Sequence, residues 1–276
     1  MRGLLLAAVA VVSGTASGAS AADMPDLPFL RGGFTDGMST ARVDWQGVYF
    51  GGQGGIGESD MNFTGATQSI AAHLLADTTI DTSGGVSSWP VGGKVSVRGT
   101  GFGGFAGYNS QWDEVVLGLE FSYMHGNFGG GQSDSISRSF ADSAGYTDSV
   151  TYTGTSSISV SDMATFRGRA GYAFGSFLPY MFGGVALGRA DIVRSASVVG
   201  SQVNPNAVTG FQTIPVNLAA SDGEYNHLVY GYSAGLGVDV MLKAGLFLRA
   251  EWEYIRFTSA VDTSINTVRL GLGYKF

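Results

Sequence analysis

The sequence contains no cysteine. No disulfide can brace the fold, and thiol catalysis and thiolate metal sites are excluded. Charge is scarce too: Asp, Glu, Lys and Arg make up 13% of the 276 residues, against about 25% in ordinary soluble domains. The formal net charge is −7, and the absence of any basic run excludes nucleic acid as a partner. Nowhere does the chain reach the ~18 to 20 uninterrupted apolar residues of a membrane helix. What it has instead is 44% hydrophobic residues and 44 glycines. Few charges, much glycine and no apolar 20-mer fit a membrane β-barrel, with a secreted β-sandwich as the competing architecture.

The first residues read as an export signal. Arg2 is the positive end, Leu4 to Val12 the apolar stretch and Ala19 to Ala21 the small-residue cleavage site. The expected cut follows Ala21, with Ala22 as the competing position. Losing Arg2 with residues 1–21 takes the net charge from −7 to −8. Residues 22–43, carrying Pro and Gly, are expected as a periplasmic lead-in, and 44–276 as one domain.

Scored for alternation, eight segments read as strands, at about 45–57, 97–111, 114–127, 159–173, 177–191, 226–242, 245–257 and 264–276. Leu246, Leu248, Ala250, Trp252 and Tyr254 share one face of the seventh, with Phe247, Arg249, Glu251 and Glu253 on the other. Gly183 and Gly184 leave the faces of the fifth strand open. Short turns near "WD", "GS" and "KA" alternate with connections of about 39, 31 and 34 residues. These are rich in Gly, Ser, Thr, Asn and Asp and are expected as loops. Short turns on one side and long loops on the other are the outer-membrane pattern, and a sandwich has no reason to sort its connections so. The fold class is therefore all-β, an eight-stranded antiparallel transmembrane barrel with long extracellular loops and both ends in the periplasm.

The chain end "NTVRLGLGYKF" keeps this period to its last residue, with Val268, Leu270, Leu272, Tyr274 and Phe276 on one face. A strand edge in hydrocarbon must be paired, so the last strand is expected to close on the first. Its terminal aromatics then join an interfacial girdle with Tyr108, Tyr172 and Phe174, while Tyr123, Tyr230, Trp252 and Tyr254 mark the opposite rim.

"WQGVYFGGQGGIG" (45–57), "GFGGFAGYNSQWDEVVLGLEFSY" (101–123) and "RGRAGYAFGSFLPYMFGGVALG" (167–188) resemble the small outer-membrane barrels of alphaproteobacteria. That group includes major surface antigens and is related to the opacity proteins and the OmpA membrane domain. The resemblance covers the strands from about 44 to 276 and fades in the long connections. It implies a structural surface protein, with adhesion, immune exposure, haem binding or minor pore activity known across members. It also implies that Tyr274 and Phe276 form the terminal signal read by the outer-membrane assembly machinery.

The expected inward face carries Glu120, Arg167, Arg169, Asp239, Arg249, Glu251, Glu253 and Arg269. Eight strands leave room for little more than side chains, which favours a charge lattice filling the lumen over a selective pore. Arg269 is expected opposite Glu251 or Glu253. His73, His125 and His227 all fall on the long-connection side, but without close spacing or a carboxylate motif they read as solvated residues and not as a haem or metal site. Ser122 and His125, three apart on one strand, point to opposite faces and cannot form a nucleophile and base. The glycine pairs Gly51–Gly52, Gly54–Gly55 and Gly103–Gly104 lie within strands and lack the helix and lysine of a phosphate loop. No catalytic residue, cofactor or metal is expected. The function expected is envelope integrity and presentation of surface loops, with a small porin, or an adhesin or haem receptor, as alternatives. The expected partners are membrane lipid and lipopolysaccharide, the assembly machinery, and a host or environmental ligand at the loops.

Overall fold

The computed structural model describes residues 43–206, 212–258 and 261–276. The expected export signal and nearly all of the expected lead-in lie outside these residues. Eight antiparallel strands form a closed barrel in which each pairs with its sequence neighbours and the last with the first. They are β1 (Gly47–Asn62), β2 (Lys94–Trp112), β3 (Val115–Ala141), β4 (Thr147–Tyr172), β5 (Phe177–Asn204), β6 (Gln212–Lys243), β7 (Leu246–Thr258) and β8 (Asp262–Lys275).

Closure works as the terminal alternation requires. Tyr49 is the partner of Lys275, and the Phe276 amide donates to the Val48 carbonyl at 2.9 Å. Outward residues of every strand form an apolar band: Ile56, Phe102, Leu119, Phe166, Val185, Leu236, Leu248 and Leu270 are all exposed. Tyr274 and Phe276 lie at one rim of it with ring centroids 4.9 Å apart, and Tyr172 and Phe174, at 4.6 Å, lie at the same rim across the barrel. At that rim the turns are tight. Ala244 (φ 54°) and Gly245 (φ 86°) both occupy the left-handed region, as a two-residue hairpin turn matched to strand twist demands.

The long connections differ from expectation. Two of the three are largely strand: past one register shift in each pair, β3 and β4 stay paired up to Ala141↔Thr147, and β5 and β6 up to Asn204↔Gln212. These four strands rise past the ends of β1, β2, β7 and β8 as a wall on one side of the barrel mouth. The third, between β1 and β2, folds into two short helices, α1 (Gln68–Leu74) and α2 (Thr79–Gly84), and one 3₁₀ turn, Val86–Ser88. Leu75, Ile80, Val86 and Trp89 are buried in a core with Val150, Tyr152, Val198 and Val216 from the wall's inner face. Asp142, within a connection expected as loop, is buried at the β3–β4 tip, where Oδ1 accepts from the amides of Ala144 and Tyr146 at 2.9 and 2.8 Å.

At the base of the wall the β4 inner face changes phase. Arg167 and Arg169 point in below, whereas Val150, Tyr152, Ile158 and Val160 point in above. The switch falls at Ser161, where pairing with β5 slips between Val160 and Asp162. One extra residue exchanges the two faces of everything beyond it.

Candidate functional site

The barrel interior is layered. Nearest the tight turns, Trp45, Tyr49, Phe105, Val116, Leu178, Tyr180, Phe182 and Phe247 form an aromatic floor. Further up, Met61, Phe63, Met124, Phe128, Ile158, Val160, Ile255, Phe257 and Ile265 form a second apolar layer. The charged residues lie between these layers, on alternate positions of β3, β4, β6, β7 and β8. All eight of the expected set, Glu120, Arg167, Arg169, Asp239, Arg249, Glu251, Glu253 and Arg269, point inward and are at most 4% exposed.

They meet in one network. Arg167 donates from Nε to Glu120 Oε1 at 2.9 Å, from Nη2 to Glu251 at 2.7 Å and from Nη1 to Glu253 at 3.3 Å. Arg249 Nε reaches Asp239 Oδ1 and its Nη1 reaches Glu120 Oε2, both at 2.8 Å. Arg169 bridges Asp239 Oδ2 at 2.6 Å and Glu120 Oε2 at 3.2 Å. Arg269 Nη2 pairs with Glu253 Oε2, and its Nε donates to Thr267 Oγ1 at 3.1 Å. The backbone register sets Arg269 opposite Glu251, but its guanidinium reaches the neighbouring acid, so both expected alternatives hold in part.

Glu120 is the hub. A carboxylate offers about four acceptor positions, and Glu120 spends them on three arginines and on the Tyr49 hydroxyl, which donates at 2.7 Å. Tyr180 donates to Glu251 Oε1 at 2.6 Å. The guanidinium planes lie over aromatic faces, Arg167 on Phe182 at 3.9 Å, Arg169 on Tyr180 at 3.8 Å and Arg249 on Phe105 at 3.9 Å. Planar, delocalised guanidinium suits such stacked burial, where an ammonium would not.

The aromatic partners escaped the sequence reading. Tyr49 lies in phase with Gln53 and was legible by alternation. Tyr180 and Phe182 lie on β5, whose faces the two glycines left open; the structure turns Leu178, Tyr180, Phe182 and Ala186 inward. A glycine on β1 makes room for one of these rings, since a Cβ on Gly51 would collide with the Phe105 ring and the Leu272 carbonyl.

The residues weighed for other chemistry do not come together. Ser122 is buried and accepts from Gln53 Nε2 at 2.8 Å, while His125 faces outward and meets Asp162 at 2.8 Å. His73 is exposed on α1, and His227 lies 3.2 Å from Glu224 on β6. Asp162 accepts hydrogen bonds from Tyr123 at 2.6 Å and from His125 and Ser161 at 2.8 Å.

The profile of a family described as outer membrane protein beta-barrel domain matches residues 6–276. The chain belongs to this family. Two relatives are outer-membrane proteins of alphaproteobacteria, in line with the resemblance of the strand motifs. The 22 kDa outer membrane protein of Rhizobium leguminosarum biovar viciae is 27% identical over 206 residues, 70% of this chain and 75% of the relative. The 25 kDa outer-membrane immunogenic protein of Brucella ovis is 26% identical over 174 residues, 63% of this chain and 62% of the relative. The match thus spans less than two thirds of the Brucella protein. Among solved structures, Ail, the attachment invasion locus protein of Yersinia pestis, is similar at TM-score 0.32 and 14% identity, over 83% of this chain and 99% of that one. Neisserial surface protein A matches at TM-score 0.32 and 10% identity, over 84% and 100%. This member of the family is an outer-membrane protein whose apolar band faces lipid. Barrels of this class keep short turns in the periplasm and long connections outside, which places the wall and the α1–α2 segment at the cell surface.

Proposed function

We propose that the protein is a structural outer-membrane barrel, contributing to envelope integrity and holding a rigid wall at the cell surface, and that it neither conducts nor catalyses. One observation carries this reading. The lumen charges, four basic and four acidic, are paired with one another and are at most 4% exposed, between two apolar layers. The lining of a water-filled passage would be open to solvent. Ions withdrawn from water are tolerated only when matched and hydrogen-bonded, and here each arginine has a carboxylate partner. The lattice thus serves as a polar core, joining β3, β4, β6, β7 and β8 across the lumen.

The test is electrical. Purified protein in planar bilayers should show no steady conductance. A large, stable, ion-selective current would overturn the reading in favour of a porin. The family resemblance gives Tyr274 and Phe276 the role of assembly signal, and their place in the closing strand and the girdle is consistent with it. Deleting Phe276 should then cut the folded, heat-modifiable species in the outer membrane several-fold.

A further inference from the structure

We infer that the outer face of the wall is a docking surface for uncharged saccharide chains of the glycolipid that surrounds the barrel in the outer leaflet. The proposal rests on the surface-presentation reading above and names the partner of that surface.

The observation is a hydroxyl lattice. On β3 the outward positions 133, 135, 137 and 139 are all serine, and on β4 positions 149, 151, 153 and 155 are serine or threonine. β5 continues with Ser195, Ser197, Val199 and Ser201, and β6 with Pro215, Asn217, Ala219 and Ser221. Register aligns them in rows, such as Ser133–Thr155–Ser195–Ser221. Hydroxyls pair across strands at 2.8 Å (Ser133 and Thr155), 2.7 Å (Ser137 and Thr151) and 2.6 Å (Ser139 and Ser149). None of these outward positions carries a charge, although the mature chain has a large net negative charge; Arg194 and Asp134 on the same strands lie on the inner face.

Three physical points choose the occupant. First, each hydroxyl both donates and accepts, and the cross-strand pairing fixes its position while leaving capacity unused, so the face is preorganised for a ligand made of hydroxyls. A polyanion finds no cation on it. Second, position: the lattice begins about nine residues above the apolar band on β4, which at ~3.3 Å per residue and a strand tilt of about 40° puts it roughly 20 to 40 Å above the hydrocarbon. It faces sideways, toward whatever stands on the same membrane, and at that height this is the saccharide of neighbouring glycolipids. Third, area: four strands by four rows is on the order of 500 Å², short of the ~800 Å² per partner of a stable protein interface, and it lacks an apolar centre. A second copy of the chain is therefore disfavoured. At the foot of the lattice the Tyr225 ring, 69% exposed, lies over Gly223 and offers an apolar face for the C–H side of a sugar ring.

The test uses the full mature chain refolded in nanodiscs with either of two purified lipopolysaccharides, one bearing a long uncharged saccharide chain and one truncated to its phosphorylated core. Protease cleavage of the wall should slow at least five-fold with the long chain relative to the truncated form, with the same protection at 50 and 500 mM NaCl. Thr151→Lys with Ser195→Lys should abolish that difference while the heat-modifiable band confirms the fold; Tyr225→Ala, which leaves the lattice intact, should reduce it. Equal protection by the truncated glycolipid, protection that vanishes in high salt, or protection tracking a concentration-dependent dimer would each overturn the proposal. Bilayer conductance tests the structural reading separately, because a barrel that conducts can still bind saccharide at its wall.

Discussion

Within the membrane the barrel is apolar outside and charged inside; above it, the same strands are polar outside and apolar inside. On β4, Arg167 and Arg169 face the lumen while Phe166 faces lipid. Fifteen or so residues earlier on that strand, Val150 and Tyr152 face inward while Thr151 and Thr153 face out. The two regions obey one rule under different solvents. Lipid cannot hydrogen-bond, so polar groups must be turned inward and matched there. Water and saccharide can, so the wall behaves like an ordinary half-buried sheet, hydrophobic on the covered face. The price of the first solution is dependence on pairing, and the sharpest tests lie there.

The largest effect is expected at Arg167, which serves three acids. Arg167→Met strands Glu120, Glu251 and Glu253 in part, and breaking such a buried cluster should cost ~3–5 kcal/mol. Urea unfolding in liposomes or detergent measures it. Arg269→Leu, which frees a single ion-paired acid, should cost less, and adding Glu253→Leu should restore part of the loss. A double variant as unstable as the sum of the singles would show that the pair is not coupled.

In the cap that α1 and α2 form over the wall's inner face, packing is what holds. Leu75→Ala removes a fully buried side chain and should cost ~2–4 kcal/mol, felt locally. Limited proteolysis should cut the α1–α2 segment sooner, while the heat-modifiable barrel band persists. Loss of both together would mean that cap and barrel form one cooperative unit.

A smaller loss, about 1 kcal/mol, is expected for Asp142→Ala, which removes the acceptor for two turn amides. Thermal melting of the wall, followed by circular dichroism, would detect it.

The smallest effect is a pH dependence at Asp148, buried on the wall's inner face between Phe140 and Gln202 across its neighbouring strands. Burial pushes its carboxyl above the usual range. The folded wall therefore holds this proton more tightly than the unfolded chain. Stability should fall as pH rises from the ordinary carboxylate value, ~3.9, through the raised folded value. Asp148→Asn should flatten that slope, as read from cap proteolysis across pH 3 to 7.

Much of the membrane half was legible because lipid enforces strict alternation. Arg249, Glu251 and Glu253 against Leu248, Ala250 and Trp252 admit only one orientation, and all eight lattice residues were found this way. The wall was obscured by composition. In "SDSISRSFA" (133–141) serine recurs at every second position, a period of two, but Asp134, Ile136, Arg138 and Phe140 opposite it mix polar and apolar. A scan for hydrophobic alternation passes over such a segment as loop. The cap was hidden because its helices are too short to show periodicity.

By itself the sequence determined the eight membrane strands, the facing of most of them within the membrane, the closing terminus and which charged residues turn into the lumen. Each of these is written in one residue's neighbours, two positions away, or in the chain's own order. Tertiary structure alone decided which acid each arginine holds, because a guanidinium several bonds from its backbone chooses partners across the lumen and not along the strand. It decided equally that Tyr49 and Tyr180 complete the lattice, that Ser161 exchanges the faces of β4, and that helices α1 and α2 find their core on the wall. Those outcomes depend on contacts between residues far apart in the chain, which exist only once the barrel has closed.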